Sequence, residues 1–189
     1  MHTKLLQKIS VGNVIVLLVV LVAPFIFAHS AKAANLTLAM VRPDRLKAST
    51  TTGGMICAKS ATASIETTVK VTFPTGFTVN TTAANWTVTT TNIPADATAW
   101  IGIGTASLVS GQDVTFPSGD MVVGTLYCFN FAAASTLTNA TAGNNKTGVI
   151  TTQLAGPTTI DSSGYALSIV SDDQIVVTAT VPATFTFSL

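Results

Sequence analysis

The stretch IETTVKVTF, from Ile65 to Phe73, places Ile65, Thr67, Val69, Val71 and Phe73 on one face and Glu66, Thr68, Lys70 and Thr72 on the other. Alternation of this length predicts a half-buried β-strand. The pattern recurs in LTLAMV (36–41), MICAKSA (55–61), WTVTTT (86–91), TASLV (105–109), DVTF (113–116), TLYCFNF (125–131), TGVITTQL (147–154), YALSIV (165–170) and QIVVTATV (174–181). Between these runs sit TTGG, SGQ, TAGNN, AGP and DSSG. Such clusters form turns because Gly accepts positive φ and Asn, Asp and Ser hydrogen-bond their own backbone. Helical periodicity is nearly absent beyond residue 33. Many short strands without helices predict an all-β sandwich or barrel. In TLYCFNF both faces are apolar, which predicts a strand covered on both sides.

The first residues read differently. His2, Lys4 and Lys8 form a positive start, VIVLLVVLVAPFIFA (14–28) is apolar throughout, and HSAKA supplies small residues at Ala31 and Ala33. This is the order of an export signal with an A-x-A cleavage site, so cleavage is expected after Ala33. The competing reading is an uncleaved anchor, since counting back to Ile9 the segment approaches membrane-spanning length. In either case the remainder is expected outside the cytoplasm. The expected organisation is a signal-peptide helix over 1–33, a β-sandwich domain over 34–172, and terminal strands over 173–189. The last part, ending in TFTFSL, has the patterning of a strand and reads as the start of a second β-domain.

Removal of 1–33 takes both histidines with it. The remaining bases, Arg42, Arg45, Lys47, Lys59, Lys70 and Lys146, face eight acids, so charge is sparse and slightly negative. A nucleic-acid partner is excluded, because displacing counterions from a polyanion needs a basic cluster. RPDRLK (42–47) is the only basic group and carries its own acid. The length suits one domain with its own core.

VTFPTG (71–76) and VTFPSG (114–119) raise the question of a repeat. No third copy exists and the flanking sequences disagree, whereas blade arrays need at least three units. Pro lacks an N–H and forces the preceding residue to be extended, and Gly permits the turn. The pair is read as two strand exits of one sandwich, with Phe73 and Phe116 inward.

Cys57 and Cys128 lie on expected strands, and an even pair in an exported chain is read as a disulfide, the alternative being two buried thiols. No C-x-x-C motif or zinc ligand set accompanies them. A bridge between an early and a late strand, across two sheets, is how immunoglobulin-type sandwiches are stapled.

The succession VTFPTGFTV, VSGQDVTFPSGDMVVGTLYCFNF, TGVITTQ and IDSSGYALSIVSDDQIVVTATV is similar to bacterial secreted surface proteins with immunoglobulin-like sandwich domains. The similarity spans most of 36–181. It implies an immunoglobulin-like β-sandwich acting as a cell-envelope or adhesive module. One position departs from antibody domains: Leu126, not Tyr, stands two residues before the second Cys.

Catalytic groups are scarce. Without histidine there is no Ser-His-Asp triad or His metal site, and an enzyme is not expected. Glu66 reads as a solvated surface acid beside Lys70. Asp161, Asp172 and Asp173 are a candidate calcium-binding set, since calcium takes clustered oxygens, although each also fits a turn; no other cofactor is implied. Trp100, in ATAWIGIG, lies in a Gly-flanked loop and is the candidate for an exposed ring that stacks on sugar. Asn-x-Thr sequons occur at Asn35, Asn80, Asn85, Asn139 and Asn145. The leading expectation is a non-catalytic secreted or surface module, structural or adhesive, touching other surface proteins or glycans. The alternatives are a carbohydrate-binding module and a pilin-like subunit that donates TFTFSL to a neighbour.

Overall fold

The computed structural model describes residues 33–132, 136–156 and 158–174. The expected signal segment lies outside them, as does all of the terminal strand region beyond Gln174. The described chain is all-β, with one turn of 3-10 helix at Ala83–Asn85. In chain order the strands are β1 (Leu38–Pro43), β2 (Thr51–Thr52), β3 (Gly54–Lys59), β4 (Thr68–Thr72), β5 (Thr78–Val79), β6 (Val88–Thr89) and β7 (Thr98–Ala99). There follow β8 (Leu108–Ser110), β9 (Asp113–Pro117), β10 (Leu126–Phe131), β11 (Leu137–Thr138), β12 (Gly143–Gln153) and β13 (Thr159–Ile169).

Two antiparallel sheets enclose the core as a β-sandwich. One runs β1-β3-β10-β6, with β7 joining β10 in parallel; the other runs β13-β12-β4-β9-β8. A small sheet, β2-β11-β5, closes the end where β4 and β10 finish and β3 begins. Isolated parallel bridges, Ala34 to Asp161 and Lys47 to Val170, join the segments flanking β1 to β13.

Alternation explains which residues face inward. From the first sheet Ile56, Ala58, Tyr127, Phe129 and Phe131 enter the core; from the second come Val69, Val71, Val114, Phe116 and Ile150. Aromatic rings fill the centre, with Trp86 5.4 Å from Phe73 and 5.5 Å from Phe131, and Phe116 5.1 Å from Phe129. Offset and edge contacts at such spacings add to simple burial.

β4 and β9 are neighbours, Val71 opposite Val114 and Val69 opposite Phe116, so the two hexapeptides run antiparallel in one sheet. Phe73 and Phe116 are both buried, as expected. The glycines differ in role. Gly76 has φ +92°, which a turn requires. At Gly119 the need is space, since a Cβ there would lie 2.6 Å from Ile101 Cγ2.

Three expectations are corrected here. The Cys57–Cys128 disulfide is formed, with Cα atoms 4.2 Å apart, but it joins directly opposed residues of adjacent strands β3 and β10. It therefore lies within one sheet and does not staple the two. The pair sits on the outer face of that sheet, in a small second core with Met55, covered by Ile93 and Ala97. The expected turn at DSSG is instead the interior of β13, because Ser162 and Ser163 pair with Thr151 and Ile150. Finally, the alternation of IETTVKVTF fails at its start. β4 begins only at Thr68, and before it Ile65 points out while Glu66 points in.

Candidate functional site

Three connections meet at one end of the sandwich: residues 60–67 after β3, 100–107 after β7, and 118–125 after β9. They are tied to one another by main-chain hydrogen bonds. Ser118 N donates to Thr67 O at 2.9 Å, Gly119 N to Ile101 O at 2.7 Å, and Gly124 N to Ser60 O at 3.1 Å. Val122 N donates to the Tyr127 hydroxyl at 3.3 Å.

Two buried carboxyls complete the fastening. Asp161, on β13, takes the N–H groups of Ala61 and Thr62 on Oδ2, at 2.7 and 2.9 Å, and the Thr62 hydroxyl on Oδ1 at 2.6 Å. Its side chain is fully buried. Glu66 is 1% exposed and accepts from Met121 N at 2.9 Å on Oε2. Its other oxygen, Oε1, has no hydrogen-bond partner among the described residues. Glu66 is therefore a buried clasp between two loops and not the surface acid expected from the pattern. Its partner lies 55 residues along the chain, and no periodicity in the sequence announces it.

Burial raises the Glu66 pKa above its ordinary 4.5, and the negative charges of Asp120 and Asp161 act in the same direction. The Met121 N–H opposes them. A raised folded-state value means that the protonated acid is favoured by folding, so stability is full below about pH 4.5 and declines as pH rises through the folded-state value. Glu66→Gln, the neutral isostere, should remove this decline. Melting curves taken from pH 4.5 towards neutrality should show the variant gaining on the parent as pH rises. Parallel curves for the two proteins would contradict the assignment.

Above this fastened base lies a recess of about 500 Å³ lined by Ala63, Ser64, Ile65, Asp120, Met121, Val122 and Val123. Ile65 is 66% exposed, Val122 62% and Val123 45%. Three branched aliphatics held out to solvent on anchored loops form an unusual surface. Single exposed apolar residues need no explanation, whereas these three line one recess. A second recess of about 360 Å³ lies over the outer face of the β13-β12-β4-β9-β8 sheet. Its wall includes Thr68, Lys70, Leu108, Thr115 and Gln153.

The other candidate residues are placed elsewhere. Trp100 is 2% exposed, edge-on to Phe129 at 5.4 Å, and its Nε1 donates to Ser118 Oγ at 2.9 Å. The glycine-flanked loop folds the ring inward, so it cannot stack on a ligand. Trp86, Tyr127 and Tyr165 are buried as well, and no aromatic ring lines either recess. The calcium set is dispersed. Asp161 is saturated by the 61–62 loop, Asp172 faces Lys47 at 3.8 Å, and Asp173 is held by Arg45 at 2.9 Å. The hydrogen bond from Arg45 holds the Asp173 carboxyl below its ordinary pKa. Among the described residues no three His, Cys, Asp or Glu side chains come together as metal ligands. The sequence matches no protein family and no curated protein.

Proposed function

We propose that this chain is a non-catalytic module of the cell envelope, exported by its N-terminal segment and making contact through the fastened loop end. The observation that carries the reading is the combination at that end of exposed aliphatic side chains with loops immobilised from beneath by Glu66 and Asp161. Immobilised loops lose little entropy on binding, which favours recognition over gating. The disulfide fits an oxidising compartment outside the cytoplasm. Both buried carboxyls are engaged in holding loops. The immunoglobulin-like resemblance points to the same class of structural or adhesive protein. The carbohydrate-binding alternative loses its proposed stacking residue with the burial of Trp100. Strand donation by TFTFSL concerns residues outside those described, and no observation favours it.

Protein beginning at Ala34, added to isolated cell envelopes, should co-sediment with them. Replacing Ile65, Val122 and Val123 together by Ser should weaken that association about tenfold or more, given the apolar area removed. Unchanged co-sedimentation by the triple variant would remove the loop end as the contact surface.

A further inference from the structure

We infer that the apolar loop end rests on the surface of a lipid bilayer, with Ile65, Val122 and Val123 as the residues in contact. The inference rests on the export reading above and names the partner of that same surface.

The first ground is where the chain enters the domain. Ala34 O accepts from Ser162 N at 2.8 Å, and Ala34 bridges to Asp161. The carboxylate of Asp161 in turn holds Ala61 and Thr62, the residues just before the recess lining begins at Ala63. Thr37 N donates to Lys59 O at 3.0 Å, so the segment 34–37 follows the same edge. Ala34, among the first described residues, thus lies at the loop end and not at the end closed by β2, β5 and β11. In the sequence before it the apolar stretch 14–28 stops six residues short of Ala34, about 20 Å of extended chain at most. On the reading in which that stretch is an uncleaved anchor, so short a connection favours a lipid surface as the occupant of the loop end.

The second ground is chemical. The lining of the recess carries one acid, Asp120, and no base. Anionic headgroups attract clusters of Lys and Arg, so the surface suits neutral or zwitterionic lipid, bound through aliphatic area. In the 118–125 loop part of the main chain is already paired, Met121, Val122 and Gly124 giving their N–H groups to Glu66, Tyr127 and Ser60, which lowers the cost of its entering the interfacial region.

Two single-cysteine labels on the full chain test the contact, since the native cysteines are paired. Val122→Cys reports on the loop end. Asn145→Cys, exposed near the start of β12 at the far end of that strand, serves as the reference. On intact cells a membrane-impermeant maleimide should label position 145 readily and position 122 about tenfold more slowly, with the difference abolished by detergent. The same protection should be reproduced by the purified full chain in phosphatidylcholine vesicles. Equal labelling at both positions leaves export standing and overturns the lipid contact. Protection of position 122 that survives detergent assigns the surface to a protein, a second copy included, and overturns it too. Recovery of the full chain with the cytoplasmic fraction and not with the envelope overturns the export reading and the inference with it.

Discussion

Replacing Cys57 and Cys128 together by Ala is expected to cost about 4 kcal/mol, by the entropy of a chain cross-link closing a loop of this size. The two residues lie 71 apart in sequence, so the unfolded chain loses much freedom when they are joined. For a domain of this length such a loss corresponds to a fall in Tm of about 10 °C. The location of the bridge sharpens the expectation. Because it links adjacent strands on the outer face of one sheet, the main core between the sheets does not depend on it. Ala keeps the small pocket under Ile93 and Ala97 apolar, whereas Ser would bury two hydroxyls. The oxidised and substituted proteins should therefore share a fold and differ in thermal and denaturant midpoints. A Tm within about 2 °C of the parent would show that the cross-link contributes little here.

Gly148→Val should destabilise the domain by about 3 kcal/mol or more, combining overpacking with a lost hydrogen bond. Gly148 on β12 stands opposite Tyr165 on β13. The Tyr165 ring lies across the glycine and its hydroxyl donates to Thr72 O on β4 at 3.1 Å. A Cβ at 148 would fall 2.4 Å from the ring carbon Cζ and 2.5 Å from the Thr72 carbonyl oxygen, and the latter is main chain in the middle of a ladder. Burial raises the pKa of the Tyr165 hydroxyl, which keeps it a protonated donor. Gly164, on β13 of the same hairpin, is the control: a Cβ there meets only the Gly148 carbonyl, at an ordinary 3.7 Å. Gly164→Ala should be close to neutral, and urea denaturation of the two variants measures the contrast. Equal losses for both would refute the account of Tyr165 crossing Gly148.

How far the chain could be read in advance depends on the range of the interaction involved. DVTF (113–116) and TLYCFNF (125–131) were legible as strands from short β-rich runs bounded by turn formers, and their ends agree with β9 and β10 within a residue. The inward direction of Phe73 and Phe116 followed from the pleat, which sets alternation. Short strands such as β2, β5 and β7 carry no pattern, since two residues cannot alternate recognisably. Trp100 was misread because flanking glycines mark a loop without saying which way it folds; the Ser118 hydroxyl and the edge of Phe129 decide that. Asp161 was assigned to a turn because DSSG has turn composition, while the ladder from β12 and the N–H groups of Ala61 and Thr62 hold it inside a strand.

The candidate site was the least legible part. Ile65 and Glu66 belong to a sequence whose alternation continues smoothly into β4, and the pattern places them on the wrong faces. Their directions reverse because the ladder begins at Thr68, beyond which the pleat no longer governs side-chain direction. Glu66 then turns in to meet Met121, and Ile65 is left outside.

By itself the sequence determined an all-β chain with a cysteine pair, little charge and inward-facing Val and Phe at alternate positions, since composition and period-two patterning are local properties. Tertiary structure alone decided that the disulfide lies within one sheet, that Trp100 is buried, that the three aspartates stay apart and that Glu66 fastens two loops beneath an apolar surface. Each of these depends on which distant segment becomes a neighbour, and the pattern of one strand holds no information about the loop that will cover it.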